Sequence, residues 1–244
     1  MSINPELNLI FIHTLAPLIE VFNHLTERII GDIKLFHILD EPLLESIKQN
    51  GKVNTFHANR LLSHINSAEK LHAVAVLITC STLSPALNLI HTKINIPVVK
   101  IDEAMIAQAV LNGSRIGVIA TAFSTLEPTR CLLEEKARQK SKSIEIKMQL
   151  VDQALDLLLQ GKGQEHDQLV KSAILDLSNN VDLVILAQAS MARVLDVIPD
   201  EKRNVPILSS PYLALQQIKS LIMKEDMNDL MKKQKQQKKE IING

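Results

Sequence analysis

The chain has 244 residues, 46% of them hydrophobic, enough for one large domain or two small ones around a sizeable core. Lys+Arg and Asp+Glu each number 27, so no global field favours nucleic acid or an anionic membrane, and five Phe, one Tyr and no Trp leave little to stack on bases. Two cysteines 51 residues apart do not make a disulfide framework; they suit a reducing cytoplasm, where the protein is expected to reside.

Leu7 to Ile12 is a continuous apolar run, and Pro17 to Arg28 follows with helical periodicity, the pattern of a buried parallel strand feeding a crossover helix. The stretch from Leu7 to Phe22 is broken by His13, Pro17 and Glu20 and has no basic leader, so a signal peptide is not expected. No apolar run approaches the roughly 18 residues that span a bilayer. Ile33 to Ile38 reads as a second strand, Pro42 to Gln49 and Ala58 to Glu69 as helices, and Ala73 to Thr79 as a central strand. Ser84-Pro85 then opens a helix, with Pro in the first turn.

A second series begins near Val98. Asp102 to Leu111 is a helix stopped by Asn112-Gly113, Arg115 to Ala120 a strand, Glu127 to Arg138 a helix and Ile144 to Leu150 a strand. Helices over Asp152 to Gln160 and Glu165 to Leu177 are parted by Gly161-Lys-Gly163, and Leu183 to Ala187 is a second central strand. Pro211 to about Met231 reads as a long final helix packing back on the first half. Met231 to Lys239 carries five lysines, read as a solvated, frayed helix end.

The two series repeat each other. Ile12-His13-Thr14 recurs as Ile119-Ala120-Thr121, 107 residues later; the segment ending at Cys80 recurs as Leu183 to Ser190 with Gln188 opposite Cys80, 108 later; Asn95-Ile-Pro-Val-Val99 recurs as Asn204-Val-Pro-Ile-Leu208, 109 later. The chain is therefore expected to be α/β, two pseudo-symmetric parallel-sheet halves: 1–97 plus 207–231, 98–206, and a charged tail over 232–244. Parallel sheets bind ligands at the carboxyl ends of their strands, which brings Thr14, Cys80, Thr121 and Gln188 to one cleft.

Cys80 stands at a strand end before a helix start, where unpaired N–H groups favour thiolate over thiol, a base or a nucleophile. Thr14, Ser81, Thr82, Thr121, Ser124 and Thr125 offer hydroxyls beside backbone N–H groups, a set that suits a carboxylate, although N-capping accounts for some of them. His13, at a strand end, either orients a ligand, shuttles a proton or is a hydrogen-bonded structural histidine. Cys131, inside the helix after Thr125, is expected to pack in the core. His57 and His64 share a helix face but bring no further ligand, so no metal is expected. No phosphate loop and no nucleophile elbow occur among the seven glycines. Asp102, Glu103, Glu127 and Arg193 are charged residues that could enter the cleft; otherwise the strand-end motifs are poor in charge, pointing to a neutral or apolar ligand remainder.

At His13-Thr14, Leu77-Ile-Thr-Cys-Ser-Thr82, Ile116 to Thr129 and Val184-Ile-Leu-Ala-Gln-Ala-Ser-Met-Ala192, the chain resembles the aspartate/glutamate/hydantoin racemase superfamily, to about Met223. The resemblance implies cofactor-independent proton transfer at the carbon α to a carboxylate, with one thiol on each face of that carbon, and a homodimer. Cys80 matches the first thiol. The second position holds Gln188, an amide that can hydrogen-bond a ligand, as can Ser190 beside it, but is neither acid nor base. Three readings stay open: a superfamily enzyme using Cys80 on a small carboxylate or amino acid, single-cysteine decarboxylases included; a carboxylate-binding sensor without turnover; and thiol-nucleophile catalysis.

Overall fold

The computed structural model describes residues 3–224. It is an α/β protein of two four-stranded parallel sheets. In the first, β1 (Asn8–His13) and β3 (Ala73–Ile78) are central, flanked by β2 (Lys34–Leu39) and β4 (Val98–Lys100), in the order β2-β1-β3-β4. In the second, β5 (Arg115–Ala120) and β7 (Leu183–Leu186) are central, flanked by β6 (Glu145–Leu150) and β8 (Ile207–Ser209), in the order β6-β5-β7-β8.

The repeat seen in the sequence is a repeat of register. Ile10 pairs with Phe36 and Val76, and Val76 with Val98; in the second sheet Gly117 pairs with Lys147 and Val184, and Val184 with Ile207. Equivalent strands thus stand 107, 111, 108 and 109 residues apart, taking β1, β2, β3 and β4 in turn.

Helices cover both faces of each sheet, which is why the central strands are apolar through their middles. α1 (Pro17–Ile29) and α9 (residues 210–224) pack on one face of the first sheet. α2 (Glu41–Asn50), α3 (Thr55–Lys70) and the short α4 (Ser84–Asn88) pack on the other. α5 (Glu103–Asn112) and α6 (Phe123–Gln139) cover one face of the second sheet, and α7 (Asp152–Leu159) and α8 (Gly163–Ser178) the other. Local chemistry sets the ends. Asp40 accepts the Leu43 N–H to cap α2, Gly51 closes it with φ +72°, and Asn54 with His57 forms a capping box on α3.

Three expectations need correction. β4 belongs to the first sheet and β8 to the second, so both boundaries, 97/98 and 206/207, fall too early: each half keeps the strand after its second central one as its fourth strand. α6 starts at Phe123, not Glu127, which places Ser124 and Thr125 in its first turn. Cys131 is exposed, because α6 buries the stripe Thr125, Thr129, Leu133 and Ala137, and position 131 lies off it. α5 does stop at Asn112 and Gly113; Gly113 is extended (φ −126°), and a Cβ there would stand 2.9 Å from Leu183 Cδ2. The final helix is described to residue 224; its expected extension to Met231 and the charged tail lie outside the described residues.

Candidate active site

The carboxyl edges of both sheets open into one cleft of about 130 Å³. Its wall is built from equivalent positions. Thr14, Leu15 and Leu18 follow β1, and Ala122 and Thr125 stand where Leu15 and Leu18 recur; Leu44 and Lys48, one turn apart on α2, recur as Leu155 and Leu159 on α7. Thr79, Cys80, Ser81 and Thr82 after β3 recur as Ala187, Gln188, Ala189 and Ser190 after β7; Ile101 recurs as Ser210. Cys80 and Gln188 therefore share one cleft, as their strand-end positions predict.

Cys80 is half-buried in extended backbone (φ −114°, ψ 111°) and leads into a turn of 3-10 helix, Ser81–Leu83, that runs on into α4. Its carbonyl accepts the Leu83 N–H at 3.0 Å. The hydroxyls of Ser81, Thr82, Ser124, Thr125, Thr14 and Ser190 stand in the same wall.

Gln188 is fixed. Its Oε1 accepts the Thr121 N–H at 2.5 Å, the Thr121 hydroxyl at 3.0 Å and the Ala122 N–H at 3.1 Å. Two of these donors are backbone N–H groups, so the atom facing them has to be the amide oxygen. The donors expected to hold a ligand carboxylate at Thr121 are thus taken by the protein itself, and Thr121 is buried outside the cleft wall. What Gln188 has left for a ligand is its NH2 group, a donor.

His13 is also outside the wall. It is fully buried behind Thr79, with Nδ1 2.8 Å from the Thr79 hydroxyl and Nε2 2.8 Å from His37 Nδ1; His37 Nε2 lies 2.9 Å from Asn23 Oδ1. Burial, with His37 adding, pushes the His13 imidazole down to about 3, so it is neutral at physiological pH. Its role is to brace Thr79, the residue before Cys80. His57 and His64 serve structure as well: His57 bonds Asn54 and Ser46, and His64 bonds Asp40.

Of the four charged residues considered from sequence, Asp102 enters the cleft. It is 5% exposed and accepts the Ser84 hydroxyl at 3.2 and 3.3 Å, and burial pushes its carboxyl up to about 6. Glu103 lines a neighbouring outer cavity, Glu127 pairs with exposed Arg130, and Arg193 holds Asp167. Thr79, Lys48 and the leucines of α2 and α7 were not anticipated. Extending the repeat would have found the last group, because Leu44 and Lys48 recur as Leu155 and Leu159 with the 111-residue spacing of β2 and β6.

Two like-folded parallel α/β halves, with one cleft between matching strand ends, define the class: a duplicated α/β protein with its site between the halves. Residues 17–218 match the Asp/Glu/Hydantoin racemase family, and the chain belongs to that family. Solved structures agree in fold. An aspartate racemase homologue from Pyrococcus horikoshii has a TM-score of 0.68 at 14% identity, over 88% of this chain and 99% of that one. A glutamate racemase isoform from Bacillus anthracis has 0.67 at 13%, over 91% and 84%. Allantoin racemase from Klebsiella pneumoniae has 0.61 at 17%, over 89% and 88%. No curated protein matches the sequence significantly.

Proposed function

We propose that the protein catalyses cofactor-independent proton transfer at the carbon α to the carboxylate of a small acid or amino acid, with Cys80 as the acid/base. One observation carries this reading: a cleft between racemase-type halves holds a single half-buried thiol, opposite an amide whose oxygen is already committed. An amide exchanges no proton at accessible cost, so chemistry from one face fits this cleft, as deprotonation with return or as decarboxylation followed by protonation.

The ligand carboxylate falls to the hydroxyls of Ser81, Thr82, Ser124 and Thr125, with Lys48 the cation in the same wall. Such donors also stabilise the enediolate formed when the α-proton leaves. Leu15, Leu18, Leu44, Leu155 and Leu159 line the remainder, which favours an apolar substituent.

The test is α-deuterium incorporation in D₂O, followed by NMR, for L- and D-aspartate, glutamate, hydantoins and substituted malonates, with Cys80→Ala as the control. Exchange or decarboxylation that vanishes in the variant supports the reading. Saturable binding without exchange makes the cleft a carboxylate sensor, a reading favoured by the self-filled donors at Thr121. A mass adduct on Cys80 makes it a nucleophile.

A further inference from the structure

Strand register carries Cys80 and a carboxyl group to the same edge of the first sheet. β3 and β4 pair as Val76 with Val98, Leu77 with Val99 and Ile78 with Lys100, and two residues further along each chain stand Cys80 and Asp102. The chains stay bonded past the last ladder pair, since the Ile101 N–H donates to the Ile78 carbonyl at 3.1 Å. Adjacent parallel strands lie about 5 Å apart, and both side chains line the cleft. Ser84, four residues after Cys80, donates its hydroxyl to Asp102 and so ties the turn carrying the thiol to the carboxyl.

Asp102 has the marks of a proton carrier. Its side-chain partner is a neutral hydroxyl, an arrangement that leaves a carboxylate charge expensive inside a protein. The charged groups nearest it, Lys100 and Glu103, oppose each other, and burial outweighs both, with a resulting value of about 6. Asp102 also lines a second cavity of about 120 Å³, walled by Lys100, Glu103, Glu135, Lys136 and Gln139 together with Ile106 and Leu132; Glu103, Glu135 and Gln139 are exposed. The carboxyl thus stands between the cleft and an outer cavity with charged groups in its wall.

We propose that Asp102 is the proton partner of Cys80, the two forming a one-sided relay between substrate and solvent. The inference rests on the proton-transfer reading above. The Cys80 thiolate takes the α-proton, and the C–H electron pair stays on the substrate as an enediolate. The proton on sulfur passes to the Asp102 carboxylate, restoring the thiolate, and leaves through the outer cavity. Run backwards, the relay delivers a solvent proton to the same face. The equivalent positions in the second half, Gln188 and Pro211, have no acid or base to complete a path on the other face.

The test needs no substrate: the rate of Cys80 alkylation by iodoacetamide, read by mass spectrometry from pH 5 to 9 in a Cys131→Ser background. With the carboxylate beside the sulfur, the profile carries an inflection near pH 6. Asp102→Asn removes that inflection and raises the neutral-pH rate about threefold or more, because a neighbouring negative charge disfavours thiolate. Ser84→Ala keeps the carboxyl but removes a hydrogen bond to its charged form, so the inflection moves to higher pH, a shift that a purely structural role of Asp102 would not produce. Profiles of the same shape in all three proteins overturn the relay. Coupling without substrate exchange in the deuterium assay removes the proposed reaction and keeps the Cys80–Asp102 pair; exchange with uncoupled profiles removes the pair alone.

Discussion

At three equivalent places around the cleft the first half carries a titrating or charged group and the second does not: Cys80 against Gln188, Asp102 against Pro211, and Lys48 against Leu159. The first half carries every group there that titrates or holds charge, while the second supplies hydroxyls, leucines and an amide bound to its own backbone. The scaffold is symmetric and the chemistry is not. Duplication fixes where a ligand sits; it does not require both walls to react with it.

The strongest way to break this contrast is Cys80→Ala, which should reduce α-proton exchange about a thousandfold, since positioned acid/base groups contribute roughly 10²–10⁴ in rate. Gln188→Cys attacks the contrast from the other side. It restores an acid/base to the second wall and frees the donors of Thr121 and Ala122, so enantiomer interconversion should rise about tenfold or more on chiral chromatography while wild type retains configuration.

Asp102→Asn sharpens the contrast through stability. The folded protein holds the Asp102 proton more tightly than the unfolded chain, so that contribution is fully present below about pH 4 and is lost as pH rises through about 6. The amide has no such loss; urea denaturation should show the variant more stable by up to about 3 kcal/mol at pH 7.5, with no gain near pH 3.5. Gln188→Ala should act in the opposite direction. It leaves two backbone N–H groups and the Thr121 hydroxyl without their acceptor and should cost about 1–3 kcal/mol in the same assay.

The fold was legible because its repeat is written in apolar strand ends. Ile12, Cys80 and Asn95 recur at offsets of 107, 108 and 109, and those offsets reappear as strand register, because a one-residue slip would turn each strand's side chains to the wrong face. Cys80 was legible for the same reason. Contacts set by side-chain direction were not. Nothing in local sequence says that Gln188 reaches across to the neighbouring turn and fills the donors at Thr121, or that His13 turns behind the wall to Thr79. Cys131 was misplaced because a cysteine inside a helix defaults to the core, whereas the buried stripe runs through Leu133 and Thr129 and leaves position 131 outside.

α9 has a topological meaning. Its residues Ala214, Leu215, Ile218 and Ile222 sit in the core of the first half, so the second half is an insertion whose entry and exit lie side by side. Among the described residues, the chain leaves the first sheet after β4 and returns after β8, and Ile101, Asp102 and Ser210 at these crossings all touch the cleft. The two passages of the chain between the halves are therefore part of the wall that a ligand would touch.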